Sequence, residues 1–127
     1  METFGCARCW PPSAKDAWAA KSSLTIKTFL IDESHFIVSI WFCRECEQHF
    51  LNVTTEMIDW EAGEDPIYRT FMPITQSELA VLTESGRPSD STLNAIGPNR
   101  RSLRYDWPKD HPPTEYWSTG ILVGPHD

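Results

Sequence analysis

Four cysteines stand in two pairs of identical spacing, Cys6-Ala7-Arg8-Cys9 and Cys43-Arg44-Glu45-Cys46, separated by residues 10–42. A CxxC turn directs both of its sulfurs to one side, and two such turns complete the tetrahedral four-thiolate shell that zinc prefers. Cys6, Cys9, Cys43 and Cys46 account for every thiol in the chain, so the expected cofactor is one zinc ion. Four protein thiolates leave no open position for water or substrate, which makes such a metal structural and not catalytic. The rival chemistry is thiol–disulfide exchange. A redox CxxC opens a helix, whose N-terminus lowers the pKa of the nucleophile, whereas Cys46 is followed by Glu47-Gln48 and a strand-like run.

Other chemistry is weakly marked. None of His35, His49, His111 and His126 falls in an HExxH or HxH spacing, and His49, close after Cys46, is expected outside the ligand set, against it or in solvent. Asp59, Glu61, Glu64 and Asp65 lack the alternating spacing and closing Glu of a calcium loop, and read as a solvated turn. There is no glycine-rich phosphate loop and no nucleophile elbow, so no catalytic residue is assigned. An enzyme whose groups converge only in the fold stays open as one reading.

The two cysteine pairs resemble the knuckles of a zinc ribbon, in which CxxC turns at the ends of β-hairpins clamp one zinc. The resemblance covers the knuckles alone. Ribbon knuckles often carry Gly after the second Cys, where this chain has Trp10 and Glu47, and residues 10–42 form a longer insert than compact ribbons hold. What the resemblance implies is a zinc that fastens the N-terminus to a sheet.

Charge is unevenly distributed. Residues 45–65 hold Glu45, Glu47, Glu56, Asp59, Glu61, Glu64 and Asp65 with no Lys or Arg, while the rest of the chain balances, so the whole net charge of −7 lies in this segment. A solvated face is one explanation. The other is an acidic docking surface for a basic protein, made of Glu56, Asp59, Glu61, Glu64 and Asp65 with Trp60 as its anchor, since a local field steers partners and Trp is enriched at binding hot spots. A small acidic non-catalytic protein of this kind suits an immunity or antitoxin role against a cationic toxin. Arg100, Arg101 and Arg104, near Tyr105 and Trp107, offer a nucleic-acid-binding zinc ribbon as the alternative; the net charge opposes it, and pairing of these arginines with the acidic segment inside the fold is expected instead.

The elements that position these groups are short. Runs rich in β-branched and aromatic residues predict strands at 24–31, 35–42, 50–58 and 67–72, a four-stranded antiparallel sheet. Ser13 can cap a helix over 14–20, Thr75 and Glu78 form a capping box opening a helix from about 76 to 85, and Ser89 or Asp90 can start a third. Five prolines from Pro98 onward predict an extended C-terminal arm, 98–127, packed on the body. The expectation is one α+β domain, 1–127. Its 12% aromatic content argues against disorder, and no apolar run approaches the roughly 20 residues of a membrane helix. The N-terminus has no basic start or apolar stretch of a secretory signal, so a reducing, cytoplasmic setting is expected.

Overall fold

The structure, a computed structural model, describes residues 4–57, 60, 65–84, 86–124 and 126. Its centre is a sheet of six antiparallel strands lying side by side in chain order. β1 (Thr25–Glu33) and β2 (Phe36–Phe42) form a hairpin through Ser34-His35, because Glu33 pairs with Phe36. β3 (His49–Glu56) pairs with β2 in continuous register from Phe36↔Thr55 to Phe42↔His49, and β4 (Ile67–Ile74) pairs with β3 along its whole length. β1 is an edge strand and carries two register shifts, at Ile26/Thr28 and Phe29/Ile31. Such bulges twist a free edge and hinder pairing with other chains.

Among the described residues, three helices flank the sheet. α1 (Ala14–Ala20) is capped by Ser13, whose hydroxyl accepts from the Asp16 N–H, and continues into a 3-10 turn over Lys21–Ser23. α2 (Gln76–Glu84) opens with the expected capping box: Thr75 N donates to Glu78 Oε1 at 2.8 Å and Glu78 N to Thr75 Oγ1 at 3.2 Å. α3 (Asp90–Asn94) is capped by Ser89 through the Thr92 N–H.

Strand alternation sends apolar residues to both faces, so the sheet needs cover on both sides. One face carries Val38, Ile40, Leu51, Val53, Met72 and Ile74, packed against Leu82 of α2 and Leu93 of α3. The other carries Phe50, Phe71 and Leu103 beneath Trp10, Ala17 and Trp18 of the N-terminal segment. Phe50 and Phe71 stack at 4.7 Å between ring centroids, 8° from parallel.

The α+β class, the antiparallel sheet and the short helices agree with the sequence reading. The sheet is larger than the four strands expected, because the C-terminal segment supplies β5 (Arg101–Trp107) and β6 (Thr114–Thr119). The prolines do not prevent this. Pro108, Pro112 and Pro113 lie in the β5–β6 connection and leave both strand windows free of proline. Pro73 occupies the end of β4, past Phe71↔Leu103, the last pair with β5, where a missing N–H costs no ladder bond on that side.

Arg100 locks the helical face to the sheet. Its Nη1 and Nη2 donate to the two oxygens of Glu78 at 2.6 and 3.1 Å, and Nη1 also donates to the Pro73 carbonyl at 3.0 Å. Burial raises the Glu78 pKa, but the Arg100 and Thr75 donors outweigh it and hold the carboxyl below its ordinary 4.5. Glu78→Gln should therefore cost about 2 kcal/mol of unfolding free energy near neutral pH. Stability from a depressed carboxyl is complete above its ordinary value and is lost as pH falls through the folded-state value. In urea unfolding, the gap between parent and variant should shrink as pH drops below 4.5.

Candidate metal centre

The first cysteine pair lies in the irregular segment before α1, the second in the turn joining β2 to β3. Each turn is closed by its own backbone: Trp10 N donates to the Cys6 carbonyl at 2.8 Å, and Glu47 N to the Cys43 carbonyl at 2.8 Å. The β2–β3 turn is further held by Cys43 N donating to the Gln48 carbonyl at 2.9 Å. Glu47 takes a left-handed backbone, φ 63°, the conformation that glycine supplies freely at this position of a ribbon knuckle.

These two turns bring all four Sγ atoms within 4.8 Å of one another. Cys6 to Cys9 is 3.6 Å and Cys9 to Cys46 is 3.7 Å, close to the ~3.8 Å edge of a tetrahedron of sulfurs 2.3 Å from zinc. All four thiols are free, and these separations are well beyond a disulfide bond of about 2 Å. The donor set thus fits a tetrahedral metal such as zinc. Cys9 and Cys43 are buried, Cys6 is half-buried and Cys46 is exposed. Burial pushes the Cys9 and Cys46 thiols up, whereas the Cys9 N–H brings Cys6 down to about 7. A bound cation would offset the cost of ionising the buried thiols.

Gln48 and Gly5 complete the junction, and neither stood out in the sequence. Gln48 Oε1 accepts from Gly5 N at 2.9 Å while its Nε2 donates to the His49 and Ile74 carbonyls, both at 2.8 Å. Gly5 has φ 67°, and a Cβ there would lie 2.7 Å from Trp10 Cβ and 3.1 Å from Cys9 Sγ. Arg8 and Glu45 pair across the two knuckles at 3.1 Å, but both are largely exposed and contribute little.

The second knuckle sits at the end of a β-hairpin, as the zinc-ribbon resemblance implies; the first does not. Neither pair opens a helix, since α1 begins only after Trp10-Pro11-Pro12, so the redox arrangement lacks its geometry. His49 lies outside the cysteine cluster. It is buried, with Nδ1 3.5 Å from Gln76 Nε2, because strand alternation turns it away from the face of Phe50.

The residues expected to meet a partner are only partly brought together. Trp60 is 84% exposed. Glu56 is half-buried and pairs with His35 Nδ1 at 2.7 Å, so it is engaged inside the fold. Asp65 is half-buried and lines a cleft with Ile67 and Trp107. Asp59, Glu61 and Glu64 lie outside the described residues. Glu45 and Glu47 are exposed on the metal-site turn.

The arginines are engaged internally, Arg100 with a carboxylate outside residues 45–65. Arg100 takes Glu78, Arg104 is buried and donates to the Thr119 carbonyl at 3.1 Å, and Arg101 lies 4.0 Å from the Trp117 ring. Of the three, only Arg101 is exposed.

Comparison with known proteins returns no match, whether with family models, curated proteins or solved structures. No helix among the described residues is long and apolar enough to cross a membrane.

The strained residue in the second knuckle gives a direct check. Glu47 is exposed, and a non-glycine residue in the left-handed region costs about 1 kcal/mol. Glu47→Gly is expected to raise the unfolding free energy by an amount of that order, seen as a higher urea midpoint at unchanged slope.

Proposed function

We propose that the chain is a non-enzymatic protein-binding module whose N-terminal loop is clamped to the β2–β3 turn by one structural zinc on Cys6, Cys9, Cys43 and Cys46. The observation that carries the metal is the convergence of four sulfurs within 4.8 Å. The metal has four protein ligands and so serves stability; free energies of such sites, on the order of 10 kcal/mol, rival the whole stability of a small domain.

The partner we infer is a basic protein. Support comes from the run of acids over residues 45–65, which begins inside the second knuckle, and from Trp60, an aromatic side chain within that run left almost wholly in solvent. A cationic toxin held in check by this protein is the concrete form of such a partner. Nucleic acid is less well served, because Arg100 and Arg104 are engaged internally.

Two measurements test these steps separately. Elemental analysis of the purified chain should give one zinc per molecule, and Cys43→Ser or a strong chelator should lower the melting temperature; a metal content near zero would remove the clamp. Reversing Asp59, Glu61 and Glu64 to Lys together with Trp60→Ala should abolish capture of a basic protein from the source cell while circular dichroism stays unchanged. Undiminished capture by that variant would refute the acidic surface.

A further inference from the structure

Away from the cysteines, the α1 face of the sheet holds a buried polar cluster that the zinc and docking readings do not use. Lys21, just past the end of α1, is only 9% exposed. Its Nζ lies 4.3 Å from the Trp18 ring centroid, 4.6 Å from Trp41 and 4.7 Å from Phe71, and donates to Asn52 Oδ1 at 3.4 Å. Asn52 Nδ2 donates in turn to Ser39 Oγ at 3.4 Å and Thr54 Oγ1 at 3.2 Å, while Trp41 Nε1 donates to Ser39 Oγ at 3.0 Å. A second cation stands beside the first. The Arg69 guanidinium lies 5.8 Å from Trp18 and 5.6 Å from Tyr105, and its Nε is buried with no hydrogen-bond partner.

Among the described residues no carboxylate pairs with either Lys21 or Arg69. Burial and the neighbouring Arg69 push the Lys21 ammonium down to about 7. Buried charges ordinarily have counter-ions, and two like charges with none among the described residues favour an anion that supplies it. The two cations share a cleft of about 580 Å³, whose wall includes Trp18, Leu24, Ile26 and Trp41. Apolar and aromatic walls with a few convergent polar groups are the usual make-up of a small-molecule site, and the volume is in the usual range.

We propose that this cleft binds a small organic carboxylate with a flat apolar body, of the aromatic-acid class, its charge held by Lys21 and Arg69 and its body lying against the indoles of Trp18 and Trp41. Inorganic phosphate shares the charge but would leave the indoles unused.

The test is a titration of the full-length, metal-loaded protein with benzoate and, separately, with inorganic phosphate, followed through the indole N–H signals of Trp18 and Trp41 in ¹H–¹⁵N spectra. Benzoate should give saturable shifts with a dissociation constant below about 1 mM, and phosphate should bind roughly tenfold more weakly or worse. Arg69→Gln and Lys21→Met should each weaken benzoate at least roughly tenfold, with Arg8→Gln at the metal centre leaving it unchanged. Should Lys21→Met fail to fold, Arg69→Gln and the parent titration decide. Absence of saturation, phosphate binding as tight as benzoate, or undiminished affinity in the folded variants would each overturn the site.

Discussion

The approach of four sulfurs to one another is the constraint on which the N-terminal third of the molecule depends. Residues 4–13, before α1, have no helix or strand, and they reach the sheet through the two cysteine turns, the Gly5–Gln48 hydrogen bond and the packing of Trp10. Four thiols at such distances gain little from one another, whereas four thiolates around a cation gain a great deal. Once that loop is seated, Trp10 meets Phe50 and Trp117, and the Trp117 Nε1–H donates to the Pro12 carbonyl at 2.8 Å. The junction thereby sets where α1 starts, and α1 sets how much of the sheet face is covered.

That cover is incomplete, and the incompleteness creates the second polar region. α1 lies over β5 and β6, with Trp18 stacked on Tyr105 at 4.2 Å. Over Ser39 and Asn52 of β2 and β3 the same face is met by the 3-10 turn that carries Lys21, while Trp10 covers Phe50. A purely apolar floor would pack best beneath a helix, yet the cross-strand pair here is Ser39 and Asn52, both buried. Their hydrogen bonds with Lys21, Trp41 and Thr54 satisfy one another, which makes the polar floor tolerable inside the fold. The cysteine cluster and the Lys21 cleft are thus linked in construction, the one seating the segment that forms the wall of the other.

Local chemistry was legible in the sequence wherever a motif is local. The paired CxxC spacing, the Ser13 and Ser89 caps and the Thr75/Glu78 box need only a few consecutive residues to express themselves, and each appears in the structure where the sequence places it. Long-range partners were not legible. Five prolines obscured β5 and β6, because their count carries less information than their placement: Pro98 precedes β5, Pro108, Pro112 and Pro113 lie between the strands, and Pro125 follows β6 in the sequence. Arg100 was expected near the acids of residues 45–65, but Glu78, already placed in a capping box, is the carboxylate the topology brings to it. Lys21 gave no signal at all: at the end of an alanine-rich helix a lysine reads as an exposed cation favoured by the helix dipole, and only the tertiary fold turns it onto three aromatic rings.

These placements alter the meaning of the net charge. A formal balance of −7 treats every ionised group as equally presented to solvent. In the fold, Lys21 and Arg104 are buried and Arg69 and Arg100 half-buried, while no Asp or Glu among the described residues is buried. Full burial among the described charges thus falls on two cations, while Glu56, Asp65, Glu78, Asp106 and Glu115 are half-buried alongside Arg69 and Arg100. Lys21 carries this further, because an ammonium brought down to about 7 is only partly charged near neutral pH. The internal cations serve ion pairing and the polar floor, Arg100 holding Glu78 and Lys21 holding Asn52.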